Sequence, residues 1–161
     1  MLYYTTFNSP FWEITLVGNK EGLTNLHMET GKGKRKFIIN DEWLRDDIFF
    51  KDIKTQVIEY FNRKRKEFDI LLNPQGTEFQ KRVWQALYAI PYGEVRTYKD
   101  IATAIGNPKA CRAVGMANSV NPIPIIVPCH RVIGSSGKLT GFASGLNAKK
   151  NLLNLEKELA S

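Results

Sequence analysis

The sequence predicts an α/β protein: a small N-terminal antiparallel sheet with a helix, followed by a helical, winged-helix-like C-terminal domain that contains a helix-turn-helix. Three observations predict this class. Short β-rich runs separated by turn residues fill positions 1–40, apolar residues then recur at helical spacing, and two short helices joined by a Gly turn follow residue 96. The length of 161 residues fits one ordinary domain or two small halves that share a core.

The N-terminal sheet is predicted to contain four strands, at residues 2–6, 12–17, 22–27 and 36–39. The segments between the first three strands and before the fourth contain Asn, Pro and Gly, which favour turns. We therefore expect an antiparallel arrangement with short connections.

One helix is predicted to follow the sheet, over residues 51–62, because Ile53, Val57 and Phe61 recur at helical spacing. The basic run at residues 63–66 is interpreted as the solvated end of this helix rather than as a binding patch. A turn-rich linker at residues 71–76 then divides the chain. We predict an N-terminal supporting domain, residues 1–74, and a C-terminal domain, residues 75–161.

The C-terminal half opens with a helix for which Thr77 is a good N-cap, and Pro91-Tyr92-Gly93 ends it. Thr97 and Asp100 have the spacing of a capping box for a helix over residues 98–105, which Gly106 ends. The next helix is predicted from Asn107-Pro108 to about Ser119, with Pro in the first position. A helix, a Gly turn and a second helix give the outline of a helix-turn-helix.

The net charge of +7 is concentrated in the C-terminal half. Residues 1–74 carry 12 Lys and Arg against 11 Asp and Glu, whereas residues 75–161 carry 11 against 5. This asymmetry favours a polyanionic partner such as nucleic acid, with a solvated basic surface as the alternative.

Composition and the N-terminal sequence exclude several other classes. With 43% hydrophobic and 24% charged residues the chain is neither disordered nor fibrous, and no apolar run is long enough to span a bilayer. The segment MLYYTTFNSPFWE shows no sign of an export signal, so we expect a cytoplasmic protein with no membrane partner. Two cysteines and two histidines provide no spaced set of metal ligands, and we expect no metal.

The second helix of the predicted pair has two different faces. Its inward stripe is formed by Ala110, Val114 and Ala117, and the opposite side carries Lys109, Arg112, Met116 and Ser119. The small residues Ala113 and Gly115 would let the backbone approach a duplex closely, although small residues also serve helix packing. The pattern is compatible with a DNA-recognition helix.

Cys129 is the candidate nucleophile. An extended apolar run with three prolines, residues 121–128, leads into Cys129-His130-Arg131. A buried cysteine is usually a small hydrophobe, and we interpret Cys111 in that way. Cys129 differs because an imidazole that could take the thiol proton is its neighbour in sequence, and a cation follows.

Glu156 lies within or at the rim of the apolar stripe of the last predicted helix, which starts near Asn147 and buries Leu152, Leu153, Leu155 and Leu159. A carboxylate in this position needs a partner. Spacing alone leaves two possibilities open, a Lys such as Lys149 or an imidazole that belongs to a Cys–His pair.

Residues 77–156 resemble the O6-alkylguanine-DNA alkyltransferase (methylated-DNA–protein-cysteine methyltransferase) family. The resemblance is continuous and includes GTEFQKRVWQALYAIPYGEVRTYKDIA, IGNPKACRAVGMANSVNPIPIIVPCHRVIGSSGKLTG with the PCHRV signature, and LLNLE. It implies direct reversal of O6-alkylguanine, mainly O6-methylguanine, in double-stranded DNA by irreversible, stoichiometric transfer to Cys129. It also implies a single-turnover transferase that acts as a monomer without a cofactor.

The resemblance also implies roles for individual residues. Cys129 would be the acceptor, His130 its proton acceptor through an ordered water, Glu156 the carboxylate that orients His130, and Asn121 a hinge. Tyr98 would contact the flipped guanine and its phosphate, and Arg112 would fill the base stack, with Lys109, Ala113, Gly115 and Ser119 on the DNA-binding helix. Val132, Phe142, Ala143 and Ser144 would line the guanine pocket.

General chemistry agrees with these roles. Alkyl transfer from oxygen to sulfur needs a thiolate, a dry pocket and a donor that neutralises charge on the departing guanine. A stacked base cannot reach a buried sulfur, so it must be flipped. The thioether product is not hydrolysed by water, and each molecule should therefore act once.

The sequence departs from the family pattern in two places. Phe142 stands where Tyr is common, and Ala143-Ser144-Gly145 replaces a more glycine-rich loop, which bears on the range of alkyl groups accepted. Residues 1–74 contain no cysteine, so neither the zinc site nor the phosphotriester acceptor of some relatives is expected.

Three other functions remain as alternatives at this point. A non-enzymatic lesion-binding relative would be expected to lack the acceptor cysteine. A thiol-sensing helix-turn-helix regulator would bind a specific operator. A Cys–His hydrolase would turn over repeatedly and would need an oxyanion hole.

Overall fold

Four strands form the sheet of the N-terminal half. The computed structural model describes residues 1–32, 37–139, 142 and 144–160, with side chains described as far as residue 157. The strands are β1 (Tyr3–Asn8), β2 (Glu13–Asn19), β3 (Gly22–Glu29) and β4 (Leu44–Arg45), in the order β3-β2-β1-β4. β2 pairs antiparallel with both β1 and β3, whereas the two-residue β4 pairs parallel with β1.

The prediction of a strand at residues 36–39 was wrong for the part that the structure describes. Residues 37–40 have no regular secondary structure, and Lys36 lies outside the described residues. Phe37 stacks its ring on His27, with 4.7 Å between ring centroids and 12° between planes. Side-chain packing therefore holds this segment, and the fourth strand is formed by Leu44 and Arg45 instead.

Helix α1 (Lys51–Phe61) buries Gln56, Val57, Tyr60 and Phe61, and its apolar side chains belong to the same core as those of the sheet. The basic run follows the helix rather than lying in its last turn, because Arg63 adopts a left-handed φ of 59°. Arg65 then pairs with Glu59 at 3.1 Å on the partly exposed surface.

The C-terminal half contains four α-helices in its described residues: α2 (Glu78–Tyr88), α3 (Tyr98–Ala104), α4 (Cys111–Ser119) and α5 (Leu146–Ala160). The predicted N-cap Thr77 and the predicted capping box of Thr97 with Asp100 are confirmed. A short parallel pair, β5 (Arg96–Thr97) with β6 (Val132–Ile133), joins the start of α3 to the segment after Cys129. These elements confirm the predicted α/β class.

Helix α4 begins later than predicted. Its first residue is Cys111, and residues 107–109 form a turn in which the Ala110 N–H donates to the Asn107 carbonyl at 3.0 Å. Pro108 therefore lies in the turn rather than at the first helical position, and Lys109 precedes the helix. Gly106 has a φ of 81° and ends the preceding helix in the left-handed conformation that glycine adopts without strain.

Strand β3 connects the two halves. Its Leu26 N–H donates to the Pro122 carbonyl of the C-terminal half at 2.9 Å, and its Leu23 N–H donates to the Leu71 carbonyl, within the N-terminal half, at 2.9 Å. Apolar side chains from both halves form one continuous core. The division after residue 74 stays a prediction. Among the described residues, no helix has the length and apolar character that a membrane span requires.

Candidate active site

The segment that leads to Cys129 is buried and braced by Asn121. Every residue from 123 to 132 is buried. The Asn121 side chain donates to the Val127 carbonyl at 2.8 Å and accepts from the Ile123 N–H at 3.0 Å. These two bonds join the end of α4 to the segment that carries Cys129, and the hinge role of Asn121 stays a prediction.

Cys129 begins a short 3₁₀ helix, Cys129–Arg131, and is only 4% exposed. Burial raises the pKa of its thiol to about 11, while a hydrogen bond from Asn121 and the ammonium of Lys149 act in the opposite direction. The isolated site therefore holds a neutral thiol at neutral pH. A base is needed to generate the thiolate.

Glu156 pairs with the imidazole, which decides between the two partners that spacing left open. Its Oε2 lies 2.6 Å from Nε2 of His130, and both side chains are at most 1% exposed. Lys149 is also buried, but its Nζ donates to the Val132 carbonyl at 2.5 Å. The structure thus brings Cys129, His130 and Glu156 into one buried cluster, with Lys149 beside it.

Two further side chains bind the Glu156 carboxylate. Arg131 donates from Nε to Oε1 at 2.8 Å and from Nη2 to Oε2 at 3.0 Å, which is a bidentate pair. Tyr60 donates its hydroxyl to Oε2 at 2.5 Å, and the Gly93 N–H approaches Oε1 at 3.3 Å. The carboxylate is therefore held in place from both halves of the chain.

These contacts fix the protonation states of the cluster. Burial opposes ionisation of Glu156, but His130 and Arg131 outweigh it and hold the carboxyl pKa well below its usual range. Burial lowers the pKa of His130, against the pull of Glu156, so the imidazole is neutral at neutral pH. With an ionised carboxylate at Nε2, that nitrogen carries the proton. Nδ1 is left as an acceptor, and it has no hydrogen-bond partner within the described part of the chain.

A cavity of about 680 Å³ reaches Cys129. The C-terminal half lines it with residues that include Asn118, Asn121, Phe142 and Ser144, and the N-terminal half with residues of β3 and with Phe37. Thr30 donates its hydroxyl to the Ser144 carbonyl at 2.6 Å and so ties the end of β3 to the far wall. The volume is in the range typical of small-molecule sites, and the thiol is at its wall.

The other residues expected in the guanine pocket occupy different positions. Phe142 is 7% exposed and lines the cavity, whereas Val132 is fully buried and its carbonyl accepts the Lys149 bond. Ala143 lies outside the described residues. Tyr98 is the first residue of α3 and is half-buried, and its ring lies 3.9 Å from the position a Cβ would take at Gly115.

Helix α4, the predicted DNA-recognition helix, presents the expected face to solvent. Arg112, Ala113 and Met116 are exposed, as is Lys109 in the preceding turn. Val114 and Ala117 are buried against the core, and Ser119 is half-buried with its hydroxyl donating to the Met116 carbonyl at 2.8 Å. Only Ser119 of this set also lines the cavity. Arg112 and Lys109 therefore lie on an outer surface that is distinct from the pocket.

Sequence reasoning missed three side chains of this cluster. Arg131 follows His130 directly in the sequence, and this adjacency is the signal that could have placed it in the cluster. Lys149 was considered only as a partner for Glu156. Tyr60 is 96 residues from Glu156, and its sequence surroundings show only the apolar face of α1. No three His, Cys, Asp or Glu side chains among the described residues are grouped so that they could hold a metal ion.

Two domains of one known family match most of the chain. The family described as 6-O-methylguanine DNA methyltransferase, DNA binding domain, matches residues 78–158, and the ribonuclease-like domain of the same family matches residues 2–74. The methylated-DNA–protein-cysteine methyltransferase of Methanosarcina acetivorans is 56% identical over 155 residues, which cover 96% of this chain and 98% of that protein. The Mycobacterium tuberculosis protein of the same name is 50% identical over 162 residues, which cover 99% of this chain and 95% of that protein.

Solved structures agree with the sequence matches. The crystal structure of Mycobacterium tuberculosis O6-methylguanine methyltransferase has a TM-score of 0.90 and 49% identity, covering all of this chain and 96% of that one. A structure of Mycobacterium tuberculosis OGT in complex with DNA has a TM-score of 0.88 and 49% identity, covering 98% of this chain and 94% of that one. The chain belongs to the methylated-DNA–protein-cysteine methyltransferase family.

Proposed function

We propose that the protein repairs O6-alkylguanine in double-stranded DNA by moving the alkyl group irreversibly to Cys129. The observation that carries this proposal is a buried thiol at the wall of a cavity, followed directly by an imidazole that a buried carboxylate orients. Relatives at 50–56% identity over nearly their full length are named for this reaction, and one structural neighbour is a complex with DNA. The partner is therefore duplex DNA that contains the damaged base.

The transfer begins with activation of the thiol. His130 takes the Cys129 proton at Nδ1, directly or through one water, while its Nε2–H stays bonded to Glu156. The imidazolium that forms is stabilised by the carboxylate, and Lys149 stabilises the thiolate. No net charge has to enter the buried site for this step, because the proton moves within it.

The bond changes follow from nucleophilic displacement at the alkyl carbon. The Cys129 sulfur forms a bond to that carbon, the carbon–oxygen bond breaks, and its electron pair passes to guanine. Tyr98 then donates to a ring nitrogen of the departing base and neutralises the charge that develops there. The proton that His130 took from the thiol then returns to the guanine ring through Tyr98 or solvent, so the products are unmodified guanine in DNA, a thioether on Cys129 and a neutral imidazole.

A base inside a duplex cannot reach a sulfur that is 4% exposed, so the damaged nucleotide must be flipped. Helix α4 is the recognition helix in this proposal, because its outer face carries Arg112 next to the exposed small residue Ala113. Arg112 occupies the gap in the base stack, and Lys109 contacts the phosphate backbone. The +6 charge of the C-terminal half supports binding to this polyanion.

Two other features complete the proposal. The protein acts as a monomer, since each step above uses residues of one chain. It works in the cytoplasm, where thiols stay reduced, because an oxidised Cys129 could not accept an alkyl group.

The experiment is incubation of the protein with O6-methylguanine duplex, followed by intact mass and peptide mapping. We expect one methyl group per protein at saturation, located on Cys129, and no further turnover. A matched control is Cys111→Ser, which removes the other cysteine and should retain transfer. Repeated turnover, or a methyl group on another residue, would contradict the proposal.

A further inference from the structure

Tyr60 reaches the active site from the N-terminal half. It lies near the end of α1, 96 residues from Glu156, and donates its hydroxyl to Oε2 at 2.5 Å. Its side chain is fully buried, and Glu156 is 1% exposed. A hydrogen bond to a carboxylate in such a dry position is strong, since no solvent competes for either group.

The oxygen that Tyr60 binds is the one that faces the imidazole. Oε2 also lies 2.6 Å from Nε2 of His130 and accepts the Nη2 of Arg131 at 3.0 Å. Oε1 is bound on the other side by Nε of Arg131 and by the Gly93 N–H. Tyr60 and His130 therefore share one acceptor atom, and each donor draws charge away from the other.

The tyrosine ring is held so that its hydroxyl cannot turn elsewhere. It packs against Phe61, Phe68 and Tyr92, with 5.5, 5.5 and 6.1 Å between ring centroids. Burial, reinforced by the negative charge of Glu156, raises the Tyr60 pKa well above its ordinary value. The phenol thus stays protonated and acts as a donor throughout the accessible pH range.

We propose that Tyr60 is a positioning residue for alkyl transfer, which fixes the Glu156 carboxylate against His130 and tempers the basicity of that imidazole. The proposal rests on the proposed function, in which His130 takes the thiol proton. It makes the N-terminal half part of the reaction machinery rather than only a support for the C-terminal half.

The direction in which the His130 pKa changes follows from Oε2 of Glu156, the oxygen that Tyr60 and His130 share. Removing the phenol leaves more negative charge on Oε2, and this charge favours the protonated imidazole, so the pKa of His130 rises. The other groups that face this cluster are Arg131 from the 3₁₀ helix, Tyr92 from the loop after α2, and Lys149 from α5, together with Cys129. None of them is altered by Tyr60→Phe, which also keeps the ring in place.

The experiment titrates His130 by NMR in protein labelled with ¹⁵N-histidine. The chain has two histidines, so a His27→Gln variant assigns the signals. We expect Tyr60→Phe to raise the midpoint of the His130 titration by roughly half a unit to one unit, because the partner carboxylate loses one donor. The acid limb of the single-turnover rate should move in the same direction. Tyr88→Phe is the matched control, because its hydroxyl is exposed and bonds only weakly, at 3.4 Å, to the Phe68 carbonyl.

A second variant should shift the His130 midpoint in the opposite direction without removing any atom of the hydrogen bond. Placing 3,5-difluorotyrosine at position 60 makes the phenol a stronger donor, and the His130 midpoint should fall. In a Glu156→Gln background, Tyr60→Phe should no longer move the midpoint, because the shared carboxylate is gone. This comparison also separates electronic coupling from general loosening of the fold.

A midpoint that stays in place in Tyr60→Phe, or that shifts equally in the Glu156→Gln background, would overturn the proposal. The NMR titration does not depend on alkyl transfer. If wild-type protein fails to methylate Cys129 while the midpoint still shifts, the proposed function is wrong but the link from Tyr60 to His130 stands.

Discussion

The pH dependence of alkyl transfer tests whether His130 generates the nucleophile. The Cys129 pKa of about 11 means that only about one thiol in 10⁴ is ionised at pH 7. The pKa of His130 is lowered by burial, so the imidazole is neutral above pH 6.5. Between pH 6.5 and the Cys129 pKa of about 11, the site therefore holds mainly a neutral thiol next to a neutral His130 imidazole.

Two routes from this state differ in their proton count. If the proton passes to His130, the reacting thiolate–imidazolium pair has the same number of protons as the resting state, and the rate does not depend on pH. If the proton is lost to solvent, the rate rises tenfold per pH unit. We expect the wild-type rate to change by less than about twofold from pH 6.5 to 8. The range of the prediction ends at pH 8 because the buried Lys149 has a pKa of about 8 and loses its charge above that pH.

His130→Gln removes the base and keeps an amide that can donate to Glu156. Only the solvent route is then left, so the rate should rise roughly thirtyfold over the same 1.5 units. At pH 7 the variant should be slower than wild type by about 10²–10⁴-fold, the usual contribution of a positioned base. The assay is single-turnover transfer from saturating O6-methylguanine duplex, quantified by intact mass. A flat profile in the variant, or a steep one in the wild type, would refute this assignment.

Four further predictions concern the acceptor, the DNA face, the pocket rim and stability. Cys129→Ser should abolish transfer and keep duplex binding, since a serine hydroxyl is far less ionised than a thiol. Residual methylation of the variant would refute Cys129 as the acceptor, and filter binding measures its affinity for duplex DNA. Arg112→Ala should slow repair of duplex much more than reaction with the free alkylated base, because only the duplex requires flipping; equal losses in second-order rates would contradict its role. Ser144→Gly should raise the benzyl-to-methyl rate ratio by about 10- to 200-fold by relieving a clash in the cavity wall, and an unchanged ratio would exclude Ser144 from specificity. Glu156→Gln should cost about 3–5 kcal/mol at pH 7, measured by urea unfolding, since Arg131 loses its buried partner. The deficit should shrink at acid pH, because the stabilisation from the depressed Glu156 pKa is complete above the unfolded pKa and is lost as pH falls toward the folded pKa.

Local signals in the sequence predicted the helices well. The caps at Thr77 and Thr97 are formed by side chains three residues from their backbone partners, so the sequence contains the whole interaction. The start of α4 was misplaced by three residues, because Pro108 is as favourable in a turn as in a first helical turn. The prediction of a strand was wrong for residues 37–39, because strand pairing depends on distant partners. Leu44 pairs with the edge of β1 instead.

The candidate site likewise contains some residues that the sequence predicted and some that it did not. Cys129 and His130 are neighbours in sequence, and the family resemblance implied Glu156 as the carboxylate that orients His130; in the structure its Oε2 lies 2.6 Å from Nε2 of that imidazole. Tyr60 could not be predicted, because its hydroxyl meets Glu156 only after α1 has packed against the C-terminal half. Lys149 looked like a surface residue at helical spacing, yet it is fully buried.

The buried charges around Cys129 explain how a thiol with a high pKa can still serve as a nucleophile. Among the side chains that the structure describes as buried near the site, Arg131 and Lys149 are cationic and Glu156 is anionic. Arg131 is bound bidentately to Glu156, so Lys149 is the positive charge that acts on Cys129. A second anion close to Lys149 is therefore favoured, even though burial opposes any single isolated charge. The Cys129 thiolate is that anion before transfer, whereas in the proposed mechanism Tyr98 neutralises the charge on the departing guanine. Lys149 thus stabilises the nucleophile from a fixed position, which its bond to the Val132 carbonyl holds, and no group has to move before the sulfur attacks.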